Sequence, residues 1–412
     1  MFARVALAAI LSSSAVAHAG AAAASPVAHP RVVSADPVDT TPHVLDGIVN
    51  AITVVGRTVV VGGSFSEVSD AGRRTTYPRS NLFAYDLHTG RVLPDFAPSV
   101  AGPVYGLAAG DGGTVYVGGE FHGIDHQRAR GLARLRLSDG ALVPGFEPRI
   151  GGGMVSTLAR HGSQLYVGGD FVSPRTALAR LDATTGAADP GFTVTPGDPL
   201  TARVKVHALA VSRDRLLVDG TFTTLDGHSR PQVGLIDIGR RTAKVAAWRT
   251  STYARRCATA FPSYVRGLDF SPDGRYFVVV TTGGPKGGIC DTAARFETYA
   301  KGSNVKPTWV NSTGGDSLYS VAVTGAAVYV GGHQRWLDNP QGRDSAGPGA
   351  VSRPGIGAIH PRTGKALSWN PTRERGIGVK AFYAHSTGLL VGSDTTRLGR
   401  EYHARIGMFP LP

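Results

Sequence analysis

Residues that usually mark chemistry are scarce in this chain. Its 412 residues include three methionines and two cysteines, too few thiols for a four-cysteine metal site or a disulfide-dense scaffold. Charged residues make up 18% and hydrophobic ones 42%, which is too apolar for a disordered chain. Acidic residues are the scarcer sign: 30 face 43 basic ones, a net charge of +13. Lysine stands only at 205, 244, 286, 301, 306, 365 and 380; the other basic residues are arginines. Past the first residues, no apolar run is long enough to cross a bilayer as a helix. Also missing are a Gly-rich phosphate loop closed by Lys, a His-Glu-x-x-His pair and a Gly-x-Ser-x-Gly elbow. These absences remove the P-loop hydrolases, the zincins and the elbow-type serine hydrolases, and neither a cofactor nor a metal is expected.

The N-terminus reads as a secretory signal. Arg4 is followed by a small apolar stretch over 5–16, and Ala17-His18-Ala19 fits a cleavage site before Gly20. The expected organisation is a signal peptide at 1–19, a disordered Ala-rich leader at 20–30 and one domain over 31–412. A secreted protein with an even cysteine count pairs them, so Cys257 and Cys290 are expected to form a disulfide. The basic balance favours acidic partners, such as an anionic polysaccharide or cell-wall polymer. It fits a solvated, arginine-rich surface equally well. Secretion and the lack of any nucleic-acid-binding module argue against nucleic acid. A monomer is expected.

One phrase is repeated along the chain. Gln164-Leu165-Tyr166-Val167-Gly168-Gly169-Asp170-Phe171 recurs as Thr114-Val115-Tyr116-Val117-Gly118-Gly119-Glu120-Phe121 and as Val59-Val60-Val61-Gly62-Gly63-Ser64-Phe65. Weaker copies end at Phe222, His333 and Asp394, and a degraded one runs from Tyr276 to Val280 with Gly283 and Gly284 after it. Recurrence at intervals of roughly 50 residues signals a repeat architecture. Each repeat divides into four short strands. The first opens on an apolar, a polar and a small residue, as in Val155-Ser156-Thr157 and Val206-His207-Ala208. The second is the Val-Gly-Gly phrase, whose glycine pair is read as ending the strand with backbone angles closed to other residues. The third, such as Leu178-Ala179-Arg180-Leu181, ends at an Asp-x-x-Thr-Gly type turn. The fourth carries an aromatic: Phe96, Phe146, Phe192, Trp248, Trp309 or Trp369. The seventh repeat stops at its third strand, around Arg405-Ile406-Gly407-Met408-Phe409. An unpaired edge would be left there, so residues near Arg31-Val32-Val33 are expected to supply the missing strand. The expected fold is all-β: a seven-bladed β-propeller of four-stranded blades, its ring closed by the N-terminal strand completing the last blade.

Through Val-Gly-Gly-x-Phe and Leu-Ala-Arg-Leu-Asp-x-x-Thr-Gly, the chain resembles the uncharacterised secreted bacterial β-propellers built on delta-60-type repeats, common in actinobacteria. The resemblance spans nearly all of the mature chain. It implies the fold and offers no agreed catalytic motif to carry over.

Function has to be sought in the departures from the repeat. The second residue of each first strand should line the mouth of the central channel: Asn50, Tyr105, Ser156, His207, Arg266, Tyr319 and Lys380. Such a ring either binds an anionic or hydroxylated ligand or lines a water-filled channel. The residue after the glycine pair forms a second ring: Ser64, Glu120, Asp170, Thr221, His333 and Asp394. Its carboxylates suit either glycoside chemistry or hydrogen bonding to loop backbone, the commoner use. An arginine stands seven residues before the end of several third strands (Arg79, Arg175, Arg230, Arg353), with His403 in that place in the last repeat. This fixed offset points to a structural role. The longest loop, 333–353, holds His333, Arg335 and Trp336, and long loops on rigid scaffolds often carry function. The candidate ligand-binding set is therefore Tyr105, His207, Arg266, Tyr319, Lys380, His333, Arg335 and Trp336. The reading is a non-catalytic binding module for a glycan or protein partner outside the cell. The alternative is a carbohydrate-active hydrolase or lyase at the channel mouth.

Overall fold

The computed structural model describes residues 27–284 and 288–412. The expected signal segment 1–19 lies outside the described residues, as does the leader up to 26. The end of that leader is held in place: His29 is buried, its N–H bonds to Thr324 O at 2.9 Å, and its Nε2 lies 2.8 Å from His385 O.

Among the described residues there is no helix. The strands form seven antiparallel meanders. Their first strands are Ile48–Val55, Val104–Ala109, Val155–His161, Val206–Ser212, Val265–Phe270, Leu318–Val323 and Ala381–His385. In each, the first strand pairs with a second that carries the repeated phrase, and the second pairs with a third. Each first strand packs beside the first strand of the next meander, and that of the seventh packs against that of the first. The core has the same layout. Seven apolar clusters lie between successive meanders; one joins Ala381, Leu390 and Met408 of the seventh to Val49, Ile52 and Val61 of the first.

Four full strands occur only in the fourth and fifth meanders, through Lys244–Val245 and Trp309–Ser312. In four others the fourth segment makes a single bridge, such as Tyr85↔Val92, Leu135↔Leu142 and Leu181↔Ala188. Proline explains the early stop. Pro94, Pro144 and Pro190 follow these bridges by two residues and cannot donate to a ladder. Burial of the aromatic holds the segment instead, with Phe96 1% and Phe192 0% exposed.

The seventh meander has three strands of its own, ending in Ile406–Pro410. Beside the last of them run residues from before the first meander: Ser34 N donates to Pro410 O at 2.8 Å and Val38 N to Met408 O at 2.9 Å. Trp369 Nε1 bonds Ser34 O at 2.8 Å, and Val33 packs with Trp369 and Phe409.

The glycine pair ends its strand as expected, in Thr114–Gly119 and Gln164–Gly169, but without special backbone angles: none of Gly62, Gly63, Gly118, Gly119, Gly168 and Gly169 has a positive φ. What they provide is space. A Cβ on Gly118 or Gly168 would sit 2.6 Å from Cγ1 of the valine opening the next meander, Val155 or Val206. Gly392 stands 2.5 Å from Val49 by the same measure, across the contact of last and first meanders. The second glycine lies over a backbone carbonyl of its own meander, Met154 O for Gly169. In the fifth meander, Val280 and Thr281 hold the two register positions, opposite Gly267 and Val265. Gly283 and Gly284 come after that strand.

Cys257 and Cys290 form a disulfide with Cα atoms 5.7 Å apart. Gly283 must stay bare for it, since a Cβ there would meet Cys257 Cβ at 2.6 Å.

Two stability measurements test this account. Gly168→Ala is expected to lower the unfolding free energy by about 1–3 kcal/mol, the usual cost of overfilling a packed core. Val206→Ala in the same chain should return part of that loss in urea melts. An unchanged midpoint for Gly168→Ala would remove the steric explanation. Cys257→Ser with Cys290→Ser opens a link between residues 33 apart. Melts should show a loss of about 3–4 kcal/mol for a loop of that size.

Candidate functional site

The first-strand ring owes its geometry to β-bulges. In six meanders the register shifts across the ring residue: between Val49 and Ala51, Val104 and Gly106, Val155 and Thr157, Val206 and Ala208, Val265 and Gly267, and Leu318 and Ser320. The residues on the bulges are Asn50, Tyr105, Ser156, His207, Arg266 and Tyr319. A bulge leaves one residue unpaired and re-aims its side chain. In the seventh meander Lys380 takes the corresponding place, just before the strand, with its N–H on Gly392 O at 3.0 Å.

These side chains have different uses. Asn50 is buried and donates to Val104 O of the next meander at 3.1 Å. His207 Nδ1 lies 3.2 Å from Val265 O, again one meander on. Arg266 donates to Val265 O and Ser263 O, at 2.8 and 2.9 Å. Tyr319 OH lies 3.4 Å from His333 Nδ1. Tyr105 is half-buried; burial and then the nearby Glu120 raise its phenol pKa. Lys380 is 2% exposed, its Nζ has no hydrogen-bond partner, and it lies 3.6 Å from the Tyr319 ring centroid.

The charge at this ring is positive and poorly hydrated. Burial pushes the Lys380 ammonium down to about 7; Asp394 opposes the shift, while Arg266 and Arg373 add to it. Lys205, just before the fourth first strand, is pushed down to about 8 by burial, against the pull of Asp170 and Glu120, and Arg266 again adds to the shift. Its Nζ bonds only Met154 Sδ, at 3.4 Å, a weak acceptor. Burial also lowers the pKa of Arg266, although Asp219 and Tyr319 hold it up.

The second ring is structural in four meanders. Asp170 Oδ1 accepts from Met154 N at 2.8 Å, Thr221 Oγ1 from Lys205 N at 2.8 Å, His333 Nε2 from Ser317 N at 3.3 Å and Asp394 Oδ1 from Gly378 N at 3.0 Å. Three of these donors immediately precede the opening residue of a first strand and Gly378 lies three residues before Ala381, so this position anchors the strand's entry. Asp394 also takes Arg373 at 2.7 Å. The fixed-offset arginines serve the fourth segments. Arg79 donates to Leu93 O at 3.3 Å, Arg230 to Ala246 O at 2.7 Å and Arg353 Nε to Leu367 O at 3.1 Å. These carbonyls stand where a regular fourth strand would have continued its ladder.

The structure brings Arg266, Tyr319, Lys380 and His333 together. Arg335 and Trp336 belong to a different group. Arg335 is committed to Asp316, with Nε on Oδ2 at 2.9 Å, and to Asp344, and it stacks 4.4 Å from the Trp336 ring centroid. Trp336–Leu337 pairs with Val351–Ser352 as a loop hairpin, and Leu337 is buried in the apolar cluster shared by the fifth and sixth meanders. Among the described residues, no three His, Cys, Asp or Glu side chains converge to hold a metal.

Three participants were not singled out from sequence: Lys205, Arg373 and Asp219. Lys205 left a signal as a rare lysine. Asp219 left a clearer one, since it replaces the first glycine in Val218-Asp219-Gly220. Its carboxyl is fully buried; Oδ1 accepts from Ala208 N at 3.0 Å and Oδ2 has no partner. Burial raises its pKa to about 8, against the bond from Ala208 and the charge of Arg266. Arg373 had no repeat position to reveal it.

A family model described as a β-propeller domain of unknown function matches residues 164–192, the stretch from the glycine phrase to the aromatic of the third meander. No curated protein matches the chain. Among solved structures, the computationally designed Ika8 protein is similar at 13% identity with a TM-score of 0.50, over 92% of this chain and 100% of that one. The WD40 β-propeller domain of Doa1 is similar at 11% identity with a TM-score of 0.48, over 90% of this chain and 98% of that one. The fold is an all-β propeller.

The Asp219 carboxyl makes a signed prediction. Its folded pKa of about 8 lies above the ordinary 3.8, so the folded chain keeps a proton that the unfolded chain releases. This side chain therefore costs stability progressively as pH rises from about 4 to about 8. Asp219→Asn removes the cost. Its melting temperature should exceed the parent's by a margin that is least near pH 4 and greatest near pH 8. A margin independent of pH would mean that Asp219 titrates as an ordinary carboxyl.

Proposed function

We propose that this propeller is secreted and seven-bladed, with its ring closed by residues 34–38 beside the last meander. Its job is non-catalytic binding of an anionic extracellular or cell-wall glycan at the face that holds the channel mouth. The seven shared apolar clusters and the contact of last with first meander support the ring. The disulfide fits an oxidising compartment.

One observation carries the binding reading. Arg266 acts on the charge of both Lys205 and Lys380, and Lys380 lies on the face of Tyr319. Two of the three carboxylates of the second ring, Asp170 and Asp394, are meanwhile occupied by backbone donors, and the third, Glu120, stands exposed. A glycosidase needs two carboxyls facing a sugar across an accessible gap. Among the described residues the carboxyls with raised pKa are Asp219, Asp269 and Asp291; Asp219 and Asp291 have no solvent exposure, and Asp269 Oδ2 accepts from Val323 N at 2.7 Å. Their shifts arise mainly from burial inside the fold, so these three are poorly placed to act on a polymer.

The test is a binding titration of the full chain against polyglucuronate and neutral dextran at low and moderate salt. Polyglucuronate should bind and dextran should not. Arg266→Ala with Tyr319→Ala is expected to weaken polyglucuronate at least about tenfold, the loss of one charge-assisted contact. Binding that vanishes at moderate salt, and is indifferent to both changes, would leave only diffuse charge attraction. Equal binding of dextran would point away from an anionic partner.

A further inference from the structure

The channel-mouth cations lack anionic partners of their own. Lys380 Nζ is buried on the Tyr319 face without an acceptor. Lys205, 8% exposed, has only the Met154 sulfur. Arg266 spends two nitrogens on backbone carbonyls and lies close enough to both lysines to act on their charge. Two nearby carboxylates are already engaged, while Glu120, which also acts on Lys205, is exposed. Asp394 holds Arg373 and the N–H groups of Ile377 and Gly378. Asp170 holds Met154 N. A buried ammonium without an acceptor is costly, and the cost falls when an anion supplies oxygens. Ser156 Oγ, at the ring position of the third meander, is also buried and unbonded.

We infer that the channel mouth is a seat for one oxyanion group, a carboxylate or a phosphate, held by Lys380, Arg266 and Lys205. This rests on reading the face as a binding surface and narrows that reading to a ligand chemistry. Arg266 of the fifth meander acts on the charge of Lys205 from the fourth and of Lys380 from the seventh, in a chain with only seven lysines. The arrangement also couples binding to a proton. Lys380 faces Asp394, Arg266, Arg373, Tyr319 and His333. Burial and the two arginines leave its ammonium partly deprotonated at neutral pH, so an incoming anion draws a proton onto it.

The experiment is calorimetric titration of the full chain with sodium phosphate and with sodium glucuronate, at pH about 7.5 in buffers of differing ionisation heat. At least one anion should bind saturably, with a dissociation constant below about 1 mM, and binding should take up a proton from the buffer. Lys380→Met and Lys205→Met should each weaken binding at least about tenfold, the loss of one charge-assisted contact. Lys380→Met should at the same time melt higher than the parent, because it removes a buried unpaired amine. If one variant fails to fold, the other carries the comparison. Preference between phosphate and glucuronate identifies the oxyanion. No saturable binding of either anion, or binding unchanged by both lysine substitutions, overturns the inference. Small-anion binding without polyglucuronate binding supports the seat and removes the polymer reading. Polyglucuronate binding indifferent to both lysine changes does the reverse.

Discussion

Everything in this fold follows from how closely neighbouring meanders approach at their inner ends. Sheets radiating from an axis crowd most near that axis, and there the second strand of one meander meets the first residue of the next. Gly118 against Val155, Gly168 against Val206 and Gly392 against Val49 are the same contact repeated, each leaving no room for a methyl. The valine supplies the apolar surface and the glycine supplies the vacancy. The contact between last and first meanders obeys the same rule as the internal ones. At the outer edge residues 34–38 lie against the third strand of the last meander, Ser34 N on Pro410 O and Val38 N on Met408 O.

The outer edge has a different problem. A row of unpaired backbone groups invites pairing with another chain. In three meanders the fourth segment is cut short by proline, so little ladder is presented there. The carbonyls that remain at Leu93, Ala246 and Leu367 are taken by Arg79, Arg230 and Arg353 from the preceding loop. This explains part of the arginine excess without any partner. Guanidinium has donors enough to bond two carbonyls at once, which a lysine in the same place does less well. The net positive charge is thus divided between edge capping and the inner ring.

The repeat was readable because its constraints are local and recur. The bare glycine, the opening valine, the Asp-x-x-Thr-Gly turn and the buried aromatic each leave one residue type at one offset. The turn is clear at Asp86, whose Oδ1 accepts from Thr89 N at 2.9 Å, and at His360, whose Nδ1 takes the same role at 3.2 Å. The ring residues could be placed by counting from the valine. Their bulges could not, because a register shift depends on the partner strand. The space the glycines leave was hidden for a related reason: φ is set locally, but space is set by a neighbour in the next repeat, roughly forty residues away. The loop pair Arg335 and Trp336 looked like a binding tip because nothing in sequence shows Asp316 and Asp344 waiting for the guanidinium.

The ring becomes most informative where the glycine rule fails. In the fifth meander Val280 replaces the first glycine and Gly267 stands opposite, so volume moves across the pair and packing survives. In the fourth meander Asp219 replaces the glycine with no such exchange, since Ala208 stands opposite. A buried carboxyl in a tightly packed sheet is a poor choice for stability. Its neighbour across the meander boundary is Arg266, and each group favours the other's charged form: the guanidinium opposes the rise of the Asp219 pKa and the carboxyl opposes the fall of the Arg266 pKa. Local rules tend to be broken where a site is built. Asp219, the unpartnered Lys380 and the poorly partnered Lys205 all feel the charge of Arg266, and an adventitious loss of packing would have no reason to gather them around it.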